Sequence, residues 1–361
     1  VSHPRFAKGR GSLPASLART FITSLLLVSG LIFPHRVSGQ DEPDNAAVDA
    51  SIEKAIRFLV SRQQPSGGWS IDNYGGETTS ATSLSIMALM ASGYTPGEPQ
   101  YRDVIRRGVD YVLAHQVENG MLIDRRGHGP MYDHGISTLM LSEVLGMVDE
   151  PQAQQVRQAL VKAVQLLVRS QEVFKAPRHT GGWRYQIDSV DSDLSVSAWQ
   201  LLALRAAKDV GCDVPAESID RAISYVKLCH DGRSGFAYQP EAGASAVMSW
   251  AGITALEVCG EHEAHESLLA ATTWRQRPLS NDESWFYYGV YYSGVGAWKL
   301  GGETWQSVRP FLVRELLSRQ NDDGSWLARQ GTEQQAGPVY STALAVLALT
   351  IDYGYLPIYQ R

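Results

Sequence analysis

With 361 residues, 44% of them hydrophobic and 19% charged, the chain can form one large domain or two small ones around a sizeable core. Its formal net charge of −6 is scattered rather than blocked, which excludes the basic face that nucleic acid demands. The three cysteines, Cys212, Cys229 and Cys259, are too few and odd in number for a disulfide framework.

In chain order, Arg5, Lys8, Arg10 and Arg19 precede the apolar run "FITSLLLVSGLIF" at 21–33. That run is shorter than the ~20 residues a helix needs to cross a bilayer. Small residues follow at Val37-Ser38-Gly39, so the pattern predicts a signal peptide over 1–39 and an exported, periplasmic or extracellular protein, with an uncleaved anchor as the alternative. A polar linker is expected over 40–50.

From residue 51 onward one unit recurs. "QQPSGGW" and "QNDDGSW" both fit Gln-x-x-x-Gly-x-Trp, from Gln63 to Trp69 and from Gln320 to Trp326. "QVENGML" keeps Gln116 but puts Leu122 in the Trp place, and "TGGWRY" holds Trp183 with Gln171 further upstream. "SGFAY" and "ESWFYY" offer Phe236 and Trp285, giving six copies. Each copy pairs an amphipathic stretch before the turn with a run apolar on nearly every side after it. The first is "SIEKAIRFLVSRQ" followed by "ATSLSIMALMASG". A helix apolar all round is buried on two faces, so the pattern predicts an all-α protein with two concentric layers.

The repeated Gln-x-x-x-Gly-x-Trp signature before small-residue helices resembles the squalene-cyclase and prenyltransferase repeat family. The resemblance implies an α/α toroid over 51–361, six inner and six outer helices closed into an α6/α6 barrel. It also implies that Gln63, Trp69, Gln320 and Trp326 fasten turns to outer helices.

If each unit runs outer helix, turn, inner helix, all inner helices start at one mouth. Six converging N-termini make that mouth attractive to anions. The residues selected there are Thr79, Tyr132, Asp133, His134, Asp191, Asp193, Ser249, Trp250, Tyr287, Tyr291 and Tyr340, with Trp183 and Tyr185 in the adjoining turn. In squalene-type cyclases an Asp-x-Asp-Asp-Thr motif protonates the alkene through its middle Asp. The resemblance places Asp191-Ser192-Asp193-Leu194-Ser195 on it, with Leu194 and Ser195 departing from the pattern. Asp193 is then the candidate acid, tuned by Asp191, Asp133 and His134. Alternatively, Asp193 is only a helix N-cap.

The prenyltransferase β chains hold zinc through an Asp-x-Cys at this point, and Ser195 replaces the thiolate, so neither metal nor other cofactor is expected. "CGEHEAHE", with Cys259, His262 and His265, is one residue short of the helical zinc motif. It also lacks the Gln of a thioester. The aromatic run "WFYYGVYY" at 285–292 suits either carbocation stabilisation or core filling. Arg125, Arg126 and His128, with Lys175, Arg178 and Arg184 in the next turn, suit a diphosphate or an acidic sugar.

Three functions follow. The first is an exported enzyme or binder for an isoprenoid or other hydrophobic ligand. The second is a non-catalytic scaffold that binds an envelope protein or component. The third is a carbohydrate-active toroid using Tyr132, His134 and the arginines.

Overall fold

The computed structural model describes residues 45–71, 76–124, 129–280 and 283–360. The expected signal peptide therefore lies outside the described residues. The expected linker does not extend to residue 50, because α1 (Asn45–Ser61) already begins there and buries Val48.

Among the described residues twelve α-helices alternate between two roles. The outer set is α1, α3 (Arg102–Ala114), α5 (Gln152–Gln171), α7 (Ala216–Leu228), α9 (His265–Trp274) and α11 (Gly302–Leu317). The inner set is α2 (Thr79–Ala91), α4 (Pro130–Val144), α6 (Leu194–Asp209), α8 (Ala246–Val258), α10 (Phe286–Leu300) and α12 (Glu333–Leu349). Each inner helix packs on the next, and α12 packs on α2, so the inner ring closes. Every residue of α2 and α8 is buried, as their all-round apolar sequences require, whereas α3 buries one face. A short hairpin, β1 (Trp69–Ile71) with β2 (Gly76–Thr78), pairs Trp69 with Thr78. Among the described residues no helix is long and apolar enough to cross a membrane.

The repeat signature is a clamp between neighbouring units. Gln63 Nε2 donates to Gly67 O at 2.9 Å and to Val104 O of the next outer helix at 2.8 Å. Gln116 does the same to Gly120 and Ala159, and Gln171 to Gly181 and Ser218. Gln320 donates to Gly324 and Ser51, tying the last turn back to α1. The glycine is forced twice over. Gly67, Gly120, Gly181 and Gly324 have φ between +90° and +97°, and an added Cβ would stand 2.2–2.5 Å from a carbonyl oxygen of that same next helix.

The aromatic position faces inward. The indoles of Trp69, Trp183 and Trp326 donate to Leu59, Leu167 and Leu316 carbonyls at 2.7–2.9 Å. Their backbone N–H groups, and that of Phe236, donate to Thr82, Ser197, Thr342 and Ser249 hydroxyls on the following inner helix. Trp285 does not fill this role. It is the residue before α10 and is 43% exposed. Leu279 takes the place, packing against Gly289 as Phe236 packs against Gly252.

Candidate binding site at the barrel mouth

The inner helices begin together, and some first-turn amides of α2, α6, α8 and α10 already have side-chain partners. Thr78, Asp193 and Ser245 cap α2, α6 and α8, accepting from Ala81, Val196 and Met248 N–H. Asp133 Oδ1 accepts from Ser80 N–H at 3.3 Å. Glu333, fully buried, accepts from Tyr287 and Tyr288 N–H at 3.1 and 2.8 Å, and burial pushes its carboxyl up to about 7.

Asp193 is the centre of the arrangement. Its Oδ1 accepts from Val196 N–H at 2.9 Å and from the Ser195 hydroxyl at 2.6 Å. Its Oδ2 is buried without a hydrogen bond, 3.6 Å from Arg184 Nε. Burial raises its pKa, while Ser195, Val196, Arg184 and Tyr238 pull it down. Arg184 also meets Asp191 at 2.5 Å and lies over the rings of Tyr185 and Tyr238, at 5.1 and 5.8 Å from their centroids. The Tyr185 and Tyr238 hydroxyls bond to each other. Toward the axis, the Tyr132 hydroxyl meets Ser195 Oγ at 2.6 Å, and Tyr288 O–H donates to the Ser195 carbonyl at 2.9 Å.

The sequence-selected residues separate into two groups. Asp191, Asp193, Tyr132, Tyr185 and Tyr340 share the mouth with Asp133, which is partly exposed and has its carboxyl raised by burial to about 6. The others are turned elsewhere. His134 is fully buried in the place of the repeat hydroxyl. Its Nδ1 accepts from Leu122 N–H at 3.2 Å, so Nε2 carries the hydrogen facing Ala163 O at 3.2 Å. Burial lowers its pKa to about 4. Trp183 serves the repeat clamp, and the Trp250 indole donates to Pro278 O. Thr79 donates to Leu122 O. Tyr287 is buried edge-on against Phe286.

Tyr291 lies deeper, stacked on Trp199 with ring centroids 5.1 Å apart and planes within 9°. Tyr288 and Tyr292 close on the same indole, and Tyr359 bonds to Tyr291 from the far end. The axis here is aromatic packing.

The described members of the basic cluster have separate partners. Arg125, Arg126 and His128 lie outside the described residues. Lys175 is buried and donates to the carbonyls ending α5, while Arg178 pairs with Glu241. His262 pairs with Glu257, and no group of three or more metal-ligating side chains forms among the described residues. A surface depression of about 450 Å³ is lined by Glu77, Tyr111, His115 and Asp124, and by none of the mouth tyrosines.

Tyr238, Trp199 and Glu333 were missed from sequence. Tyr238 had a signal, since it stands two residues after Phe236 as Tyr185 stands two after Trp183. Trp199 and Glu333 had none, because each acts across the barrel or between helices.

A family model described as squalene-hopene cyclase C-terminal domain matches residues 35–137. A probable squalene–hopene cyclase of Sinorhizobium fredii is 34% identical over 89 residues, which is 22% of this chain and only 13% of that protein. The toroid resembles the squalene-hopene cyclases. Among solved structures, the type II terpene cyclase MstE from Scytonema superposes with a TM-score of 0.57 at 14% identity, covering 88% of this chain and all of its own. The α-1,6-mannanase GH76A of Salegentibacter gives 0.61 at 10% identity, covering 84% of this chain and 99% of its own. A D-mannose isomerase gives 0.60 at 14%, covering 88% and 100%. At these identities the likeness establishes the α/α-toroid fold alone.

Proposed function

We propose that this squalene-cyclase-like toroid is a non-catalytic recognition module, exported and binding an envelope component at its mouth. The observation that carries the reading is the occupied axis. Where a cyclase needs a dry cavity as deep as an isoprenoid, Trp199 stacks on Tyr291 and the side chains of α10 fill the space. Asp193 supports it, because one oxygen caps α6 and the other faces Arg184. A carbohydrate enzyme built on Tyr132 and His134 loses its second member, since both nitrogens of His134 face backbone groups.

A cyclase reading rests on a specific feature, the buried Asp193 Oδ2 that makes no hydrogen bond. The two are separated by incubating the protein and its Asp193→Asn variant with squalene and with a geranylgeranyl substrate, then analysing extracts by mass spectrometry. The recognition reading expects no conversion and no co-purifying isoprenoid. A cyclised product made by the wild type and lost in Asp193→Asn would overturn it.

A further inference from the structure

The end of the barrel opposite the mouth is crossed by a strap. After α12 the chain makes two single 3-10 turns, Ile351–Tyr353 and Pro357–Tyr359, with Gly354 between them at φ +69°. Leu356, Ile358 and Tyr359 are buried. Ile358 N–H donates to Glu143 Oε2 on α4 at 3.2 Å. From α10, the Trp298 indole and the Lys299 ammonium donate to the Tyr359 and Gln360 carbonyls at 3.0 and 2.5 Å. The Tyr359 hydroxyl donates to that of Tyr291 at 3.2 Å. In the closed ring α4 and α10 stand opposite each other, so the strap spans the opening from side to side. Isolated turns have no helix or sheet of their own to hold them, and docking rests on these bonds and the three buried side chains.

Glu143 is the anchor whose charge can change. It is buried one residue before the end of α4, where the equivalent residue of α8, Glu257, has His262 beside it at 3.1 Å. The charges that reach Glu143 are Asp209 of α6 and Lys299 of α10, which oppose each other. The Tyr291 and Tyr359 hydroxyls face it from α10 and from the strap. None of these groups comes from α2 or α5, the other helices packed on α4. Burial therefore dominates and raises the Glu143 carboxyl from 4.5 to about 8. Ionised beneath the strap, it is a buried carboxylate without a compensating cation; with the strap lifted, water solvates it.

We infer that residues 354–360 are a pH-operated strap, docked across the far opening while Glu143 is neutral and released as that carboxyl ionises, which uncovers Tyr291 and the aromatic axis. The device lies at the end opposite the mouth and does not rest on the recognition reading. The docked carboxyl keeps its proton to higher pH than a solvated one. Docking is thus strongest below pH 4.5 and is progressively lost as pH rises to about 8.

The test is amide hydrogen exchange of the full chain, followed by NMR from pH 6 to 9 and corrected for the intrinsic rate at each pH. The readout is Tyr359 N–H, which bonds within the strap to Leu356 O. Undocking releases one proton, so its protection is expected to fall about tenfold per pH unit up to pH ~8 and then level off. Glu143→Gln keeps an acceptor for Ile358 N–H and cannot ionise, so its protection is expected to stay constant within about threefold. The Leu202 amide, inside α6, reports unfolding of the barrel itself. Wild-type protection that does not change between pH 6 and 9 overturns the inference without any variant. The same slope in Glu143→Gln also overturns it, as does a fall that the Leu202 amide shares in full.

Discussion

Replacing His134 by threonine tests whether this residue is chemistry or architecture. In four of the other repeats Thr82, Ser197, Ser249 and Thr342 receive the N–H that His134 Nδ1 receives from Leu122, so threonine restores the common arrangement. The imidazole is fully buried, and its pKa falls from 6.5 to about 4. Between those values the native state binds fewer protons than the unfolded chain, so stability rises with pH. The contribution is fully present above pH 6.5 and is lost as pH falls toward 4. The fall from 6.5 to about 4 corresponds to about 3 kcal/mol. Raised carboxyls at Asp133, Glu143 and Glu333 act in the opposite sense, so the wild-type profile alone is uninformative. The difference between wild type and His134→Thr removes them. Urea unfolding at pH 4, 5, 6 and 7 should show this difference changing by about 3 kcal/mol, with the variant relatively more stable in acid. Carbon NMR of the imidazole should give a midpoint near 4. A stability difference that does not vary with pH would refute the buried, neutral imidazole and return His134 to the list of mouth acids and bases.

Three further outcomes are expected. Gln320→Ala breaks the bonds that tie the last turn to α1, leaving Ser51 and Gly324 carbonyls short of a donor, and should cost about 2 kcal/mol in thermal unfolding. Asp193→Ala should lose about 1 kcal/mol of α6 capping whereas Asp193→Asn loses little, since Asn caps as well as Asp; equal losses in denaturant titrations would mean that the cap is not its structural role. Trp199→Ala should cost about 3–5 kcal/mol by emptying the stack on Tyr291, and a loss below about 1 kcal/mol would mean the axis is not close-packed there.

The sequence by itself determined the frame. Gln63, Gln116 and Gln320 each sit four residues before a glycine that must adopt positive φ against the next helix, and Gln171 reaches the same kind of glycine across a longer turn, so the motif itself specifies the clamp. Helices apolar all round had to be the inner layer, because only a second shell hides them from water. The mouth was legible as a place, since turns that precede inner helices gather at one end. The job of each mouth residue was not. His134 and Asp133 are neighbours in sequence, yet a helical step of about 100° turns one into a backbone clamp and leaves the other partly exposed. Trp285 carried the repeat's letter but not its place, which Leu279 fills. Trp199 meets Tyr291 across the barrel, and Glu333 of α12 caps the preceding inner helix, α10. Those pairings join residues far apart in the chain, and only ring closure brings them within bonding distance.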